Sequence, residues 1–288
     1  MRVRVLPHDG FEVIAERLHD STQSNAAFGD SHVAAVNAYD TADFINLGIG
    51  ATTIRKMDQR VRYYFSKNKP GQVIIQADPH LLAEYRLEAH GSYVPEDYSN
   101  LRSRALDPRH RGFMLKYWSV ELASAPIKVP SYDDLWQAAQ SLRQDAPKPA
   151  ENVQPSPPAP SPVAAKASLR FNALMDSEIL THTPAHDFED RDEATIYREM
   201  IKFLIGRGAK VCLVNYPVDQ FYRVRADAIP AFAAARKFFE DTAKANRIPY
   251  VSFWDRFDDP SMYQNSDHVN QQGAVIIARE SRAACFGK

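Results

Sequence analysis

Hydrophobic positions along the chain follow two alternating periods. Ala26–Phe28 is a short apolar run that enters Gly29-Asp30-Ser31-His32, with a helix expected behind it through Ala34, Ala35 and Ala38. Asp43–Leu47 reads as a second strand, ending at Gly48-Ile49-Gly50. Ile54, Met57, Val61, Tyr64 and Phe65 then recur at helical spacing until Pro70-Gly71 stops them. Val73-Ile74-Ile75 is a β-branched run typical of a buried parallel strand, and it ends at Gln76-Ala77-Asp78-Pro79-His80. From about Arg86 to Tyr132 no clean period exists, although Ser131 is a candidate cap for a helix carrying Leu135, Ala138 and Leu142.

The same alternation resumes near the C-terminus. Ile196, Met200, Phe203 and Leu204 mark a helix that stops at Gly206-Arg207-Gly208. A strand is expected over Lys210–Asn215. Ile229, Phe232, Ala235, Phe239 and Ala243 mark a longer helix, Pro249–Trp254 another strand, and Gly273–Cys285 a final helix after a loop carrying Asp267-His268. Strands alternating with helices predict a three-layer α/β/α sandwich around a mostly parallel sheet.

Between these stretches, Pro147 to Val163 holds seven prolines among Ala, Ser, Lys and Gln. Such a segment cannot bury a core and is expected to be extended and largely disordered. Neither flank has enough strands for a stable parallel sheet of its own. The expectation is therefore one domain over residues 1–288, interrupted by a proline-rich insertion at about 147–163.

Composition narrows the function class. The 288 residues are 44% hydrophobic, enough for one large core or two small ones. A formal net charge of −1 with 25% charged residues supplies no strong field towards nucleic acid or an anionic membrane. Small neutral or weakly charged substrates suit it better. No run of about 18 apolar residues exists to cross a membrane, and the first residues lack the apolar run of a signal peptide. As given, the chain reads as soluble and cytoplasmic, or extracytoplasmic if an export segment precedes it. The two cysteines, Cys212 and Cys285, are too few for a disulfide framework. Cys212, inside Val211–Val214, is expected as an apolar core residue; the redox compartment stays open.

In open α/β sheets the ligand site lies beyond the carboxyl ends of the strands. Asp30-Ser31, Gly48–Gly50, Asp78 and Asp267-His268 all fall there. A serine hydroxyl is a poor nucleophile near neutral pH and needs a base, usually a third group to orient that base, and donors for the oxyanion. Ser31 sits at a strand-to-helix turn, where free backbone N–H groups can donate; the plainer role for Gly29-Asp30-Ser31 is a turn and helix cap. His268 shares that sheet edge and is the candidate base.

The ordered set Gly-Asp-Ser-His, Asn-Leu-Gly-x-Gly, a strand ending in a polar loop, and Ser-Asp-His-Val-Asn-x-x-Gly resembles the SGNH/GDSL hydrolase superfamily. More narrowly, it is similar to branches holding bacterial O-acyltransferases and esterases of cell-surface polysaccharides. The likeness runs from about Ala26 to Phe286 without the proline-rich insert. It implies an SGNH-hydrolase-like, flavodoxin-like sandwich and acyl-ester chemistry without metal or cofactor. Ser31 would be nucleophile and first oxyanion donor, His268 the base, and Gly50, or less well Gly48, the second donor. Two positions depart from the pattern. The third block normally offers an asparagine amide, and here Asp78 stands in the matching stretch; an ionised Asp78 cannot donate. Either Asp78 is protonated, His80 substitutes, or only two donors exist. The acid commonly lies three residues before the histidine, where this chain has Asn265; Asp267 is adjacent to His268 and in an extended segment would point away from it. Both are kept, with Asp267 preferred for its charge.

Other clusters read more plainly. His182 and His186 in His-Thr-Pro-Ala-His suggest metal ligands, but the proline opposes a helical pair, and an acidic loop before a helix is expected. Tyr63-Tyr64-Phe65 and Phe238-Phe239 read as core aromatics. Two functions remain: a serine esterase or acyltransferase acting on an acyl ester or carbohydrate, or a non-catalytic relative that binds glycans or a partner.

Overall fold

The computed structural model describes residues 17, 18, 21–87 and 173–287. The expected helix at 131–142 and the proline-rich segment at 147–163 lie outside the described residues. Five strands form one sheet: β1 (Asn25–Phe28), β2 (Phe44–Asn46), β3 (Gln72–Gln76), β4 (Lys210–Asn215) and β5 (Tyr250–Ser252). Their order is β2-β1-β3-β4-β5, and every pairing is parallel. This is a doubly wound order, whose connections run in opposite directions from β1 and leave a crevice between β1 and β3. β3 and β4 pair from Gln72↔Lys210 to Gln76↔Val214, so the sheet joins segments from either side of residues 88–172.

Alternation along each strand builds the layers. Phe28, Val73, Ile75, Val211 and Leu213 face one side. They pack there against the helices Ile54–Lys67, Asp192–Gly206 and Pro230–Asn246. Ala27, Ile74, Cys212 and Val214 face the other side, against Val33 and the C-terminal helix Gln271–Phe286. Residues buried on both faces make the continuous apolar runs seen in the sequence. The helix Ile54–Lys67 starts at Thr53, whose hydroxyl accepts from Lys56 N, and buries all five of its expected apolar positions. The last helix starts at Asn270, which accepts from the backbone N–H groups of Gln272 and Gly273.

Several elements differ from expectation. The helix after Ser31 is short, Ser31–Ala35, and gives way to a 3-10 turn at Asn37–Tyr39. β5 covers only Tyr250–Ser252 of the expected strand. Helices at 173–182 and at Gln220–Asp227 have no counterpart in the periodicity reading. Both are amphipathic only over short spans and pack into a satellite core with Trp254 and Phe232.

Cys212 is not a plain core residue. It forms a disulfide with Cys285, closing a sequence separation of 73 residues and tying β4 to the C-terminal helix. A lone pair of cysteines makes no framework, but buried cysteines brought together by the fold can still pair. Among the described residues, no helix is long and apolar enough to cross a membrane.

Candidate active site

Each strand delivers a polar group to the carboxyl edge of the sheet. β1 ends at Phe28, and Asp30 caps the helix Ser31–Ala35 by accepting from His32 N at 2.9 Å. Ser31 is therefore the first helical residue, where a backbone N–H has no partner within the helix. Gly29 is required for packing, because a Cβ there would lie 2.3 Å from Val33 and 2.4 Å from Gln76.

The loop after β2 separates the two glycine candidates. The Gly48 N–H donates to Asn46 Oδ1 at 2.9 Å, and a Cβ at Gly48 would lie 2.4 Å from Ala34 N. Gly48 therefore serves close packing of backbone on backbone. Around Gly50 the space is open, and among the described residues its N–H donates to nothing. Ala51 then takes a left-handed conformation (φ 58°), costly for a residue with a side chain. Two buried arginines brace this loop: Arg60 donates to Thr52 Oγ1 at 2.6 Å and Arg86 to Thr52 O at 3.3 Å.

Asp78, after β3, corrects the expectation of an oxyanion donor. Its Oδ1 accepts from Asn215 Nδ2 at 2.7 Å and Tyr216 N at 2.6 Å. Its Oδ2 accepts from Gln76 Nε2 at 2.6 Å and pairs with His32 Nδ1 at 2.7 Å. All four contacts lie within the protein, so Asp78 is committed to them and offers no free donor to an oxyanion. His80, the suggested substitute, spends Nε2 on Asp30 Oδ2 at 2.6 Å.

The segment before His268 brings both neighbours to one ring nitrogen. His268 Nδ1 lies 2.6 Å from Asp267 Oδ1 and 3.0 Å from Asn265 Oδ1. Asp267 reaches the ring because residues 264–267 form a bend rather than extended strand. Asn265 Oδ1 also accepts from His268 N at 2.8 Å and Asp267 N at 3.2 Å, and so holds that bend. The rule that neighbouring side chains point apart does not apply off a strand. No hydrogen bond among the described residues occupies His268 Nε2, and the side chain keeps 20% exposure.

Sequence reasoning missed the buried charge cluster that His32 and Asp30 form. His32, the residue after the serine, pairs through Nδ1 with Asp78 and through Nε2 with Asp267 Oδ2 at 3.2 Å. Burial opposes its charge, but Asp78, Asp267 and Asp30 overcome this and raise it well above the usual histidine range. Asp30 has no exposure and accepts from His32 N and Gln76 Nε2 on one oxygen, and binds His80 and Arg86 on the other. Burial would raise its carboxyl, yet His80, with His32 and Arg86, holds it well below the usual carboxylate range. Asp267 likewise is lowered well below that range, by His268 and His32 against burial. A signal for His32 was available: a histidine in place of an apolar residue at the start of a buried helix needs a partner.

His182 and His186 do not converge: His186 is 95% exposed, while His182 is half-buried against Tyr222 and Asp267. His182 lies 3.1 Å from the Tyr222 hydroxyl, and burial, reinforced by the cations around it, depresses it to about 3. It is therefore a neutral ring. Glu178, His182 and Asp267 present potential ligand atoms within 4.8 Å of one another. Those atoms are already engaged: Ser266 Oγ donates to Glu178, and the histidines take Asp267.

Ser31 and His268 thus share one edge. The His32 ring, one residue after Ser31, meets the His268 ring edge-on at 4.9 Å between centroids. Among the described residues no hydrogen bond joins Ser31 to His268, although the sequence reading expects hydrogen-bond reach between them.

No protein-family model matches the chain, and no curated protein matches it. Solved structures do. A GDSL-like lipase from Bacteroides thetaiotaomicron is similar over 96% of this chain and 98% of its own, with a TM-score of 0.50 and 13% identity. A Bacteroides fragilis protein assigned as an acylhydrolase covers 98% of this chain and 99% of its own, with a TM-score of 0.49 and 12% identity. The chain has the parallel α/β fold of GDSL-like hydrolases.

Proposed function

We propose that the chain is a serine esterase or O-acyltransferase acting on acyl esters, acetyl esters of a carbohydrate or related small molecule in the first place. The observation that carries this reading is the held imidazole. Asp267 and Asn265 fix Nδ1 of His268, which leaves Nε2 open on the edge where Ser31 begins its helix. A base oriented from behind by a carboxylate is what a serine nucleophile requires.

In this reading Ser31 Oγ attacks the acyl carbonyl as its proton passes to His268 Nε2. Asp267 stabilises the imidazolium that forms. The alcohol leaves with that proton, and water or a sugar hydroxyl resolves the acyl-enzyme by the reverse transfer. The backbone N–H groups of Ser31 and Gly50 serve the oxyanion, a hole with two donors, since Asp78 has none to give. Hydrolysis and transfer use the same groups and differ in the acceptor. The choice of carbohydrate esters rests on the motif resemblance.

A second reading, a non-catalytic binder of glycans or a partner, is favoured by the carboxylate at the third block and by the missing Ser31–His268 hydrogen bond. Catalytic hydrogen bonds are often loose without substrate, which is why the enzyme reading is preferred. Hydrolysis of a short-chain aryl acetate by wild type and Ser31→Ala separates the two. Turnover lost at least a hundredfold in the variant supports the enzyme. Turnover absent in wild type, or equal in both proteins, rejects it.

A further inference from the structure

The residue after the serine does more than cap a helix. His32 is buried, with 4% exposure, and each of its ring nitrogens faces a carboxylate oxygen: Nδ1 to Asp78 at 2.7 Å and Nε2 to Asp267 at 3.2 Å. An ionised carboxylate only accepts, so two such partners require both nitrogens to carry hydrogen. Between two ionised carboxylates the ring is an imidazolium. Asp78 also accepts from Asn215, Tyr216 and Gln76, donors that suit a carboxylate. The remaining charged or titratable groups around the ring are Asp30 at its own helix start, His80 at 4.4 Å between centroids, and His268 at 4.9 Å. His182 and Arg86 stand behind these, the first neutral and the second bound to Asp30.

We propose that His32 is a permanently charged positioning residue, which clamps the Asp267 carboxylate behind His268 and keeps His268 available as a base into mildly acid solution. Two effects act with one sign. A positive ring 4.9 Å away opposes a second positive charge on His268. The same ring holds Asp267 Oδ2 while Oδ1 faces His268, and so draws on the negative charge that would otherwise favour the protonated base. The clamp also stops Asp267 from rotating away from Nδ1. His32 touches no reacting atom in this arrangement; it acts through Asp267. The inference rests on the esterase reading for its consequence, but the charge itself does not depend on catalysis.

The first test uses the unaltered protein. Nitrogen-15 NMR of the histidine rings should show both His32 nitrogens protonated at pH 7.5. A neutral His32 ring at that pH overturns the proposal. The second test is His32→Gln, which removes the charge and keeps one donor, with Asp78→Asn as companion if that variant does not fold. The midpoint at which His268 titrates should rise by about one pH unit in the variant. The acid limb of kcat/KM should move with it, so that the loss is about tenfold below the midpoint and small at high pH. A purely structural role would lower kcat equally at every pH and leave the midpoint in place, and that result also overturns the proposal. If wild type shows no Ser31-dependent turnover, the esterase reading fails, while the NMR measurement still decides the state of His32.

Discussion

Asp267→Asn and Asn265→Ala provide the sharpest comparison, because both side chains reach the same ring nitrogen. Asp267 lies closer, 2.6 Å against 3.0 Å, and carries charge. At an effective dielectric of about 20, a unit pair near 4 Å is worth roughly 4 kcal/mol. His32 already draws on that carboxylate, so about 3 kcal/mol is left for an imidazolium forming on His268. At 1.36 kcal/mol per factor of ten, this corresponds to a fall in kcat of roughly a hundredfold or somewhat more for Asp267→Asn. Asn265→Ala removes a neutral acceptor and the hydrogen bond that shapes the bend, worth about 1 kcal/mol, hence about fivefold. Steady-state hydrolysis of an aryl acetate measures both, with circular dichroism to confirm folding. The reasoning is refuted if Asn265→Ala costs more than Asp267→Asn. Two equally mild effects would reduce the machinery to Ser31 and His268 alone.

Reducing the Cys212–Cys285 disulfide, or replacing both cysteines with alanine, should cost stability without changing the fold. The chain-entropy relation for a 73-residue closure gives about 4 kcal/mol, read as a fall in thermal midpoint under reductant; alkylation of the denatured, unreduced protein that finds two free thiols would remove the premise. Asp30→Asn leaves His80 and Arg86 buried without their anion and should destabilise by about 3–5 kcal/mol at pH 7. Because the folded carboxyl of Asp30 is held below its unfolded value, its contribution is present above about pH 4 and fades as pH falls through the folded value. Denaturant titrations at several pH values should therefore show the gap between wild type and variant closing on acidification.

Much of the fold was legible because it depends on periodicity. The runs at Val73–Ile75 and Val211–Asn215 are buried on both faces, and the stripe from Ile54 to Phe65 covers one face of a helix. Such patterns report burial directly. The helices at 173–182 and Gln220–Asp227 were not legible for the same reason. Leu174, Leu180, Phe221 and Val224 are exposed, which blurs the period that marks a buried face. The disulfide depends on where the C-terminal helix lies on the sheet, a distance in space that no spacing of two cysteines encodes.

Residue type marked Ser31, Gly50 and His268 as candidates at one sheet edge, but the sequence is less informative where one residue makes sense only beside another. Asp78, taken alone, is a faulty oxyanion donor. Beside His32, Asn215 and the Tyr216 N–H it becomes the anchor of a buried charge pair. His32 in turn explains how Asp267 can sit buried as a carboxylate while presenting one oxygen to His268. Each supports the other: Asp78 without His32 loses its cationic partner in the interior, and His32 without Asp78 is held only at 3.2 Å. His32 and Asp78 therefore constitute one device. On the proposed reading, Asp78 serves this charge pair and not the oxyanion, so oxyanion stabilisation should depend on the backbone N–H groups of Ser31 and Gly50.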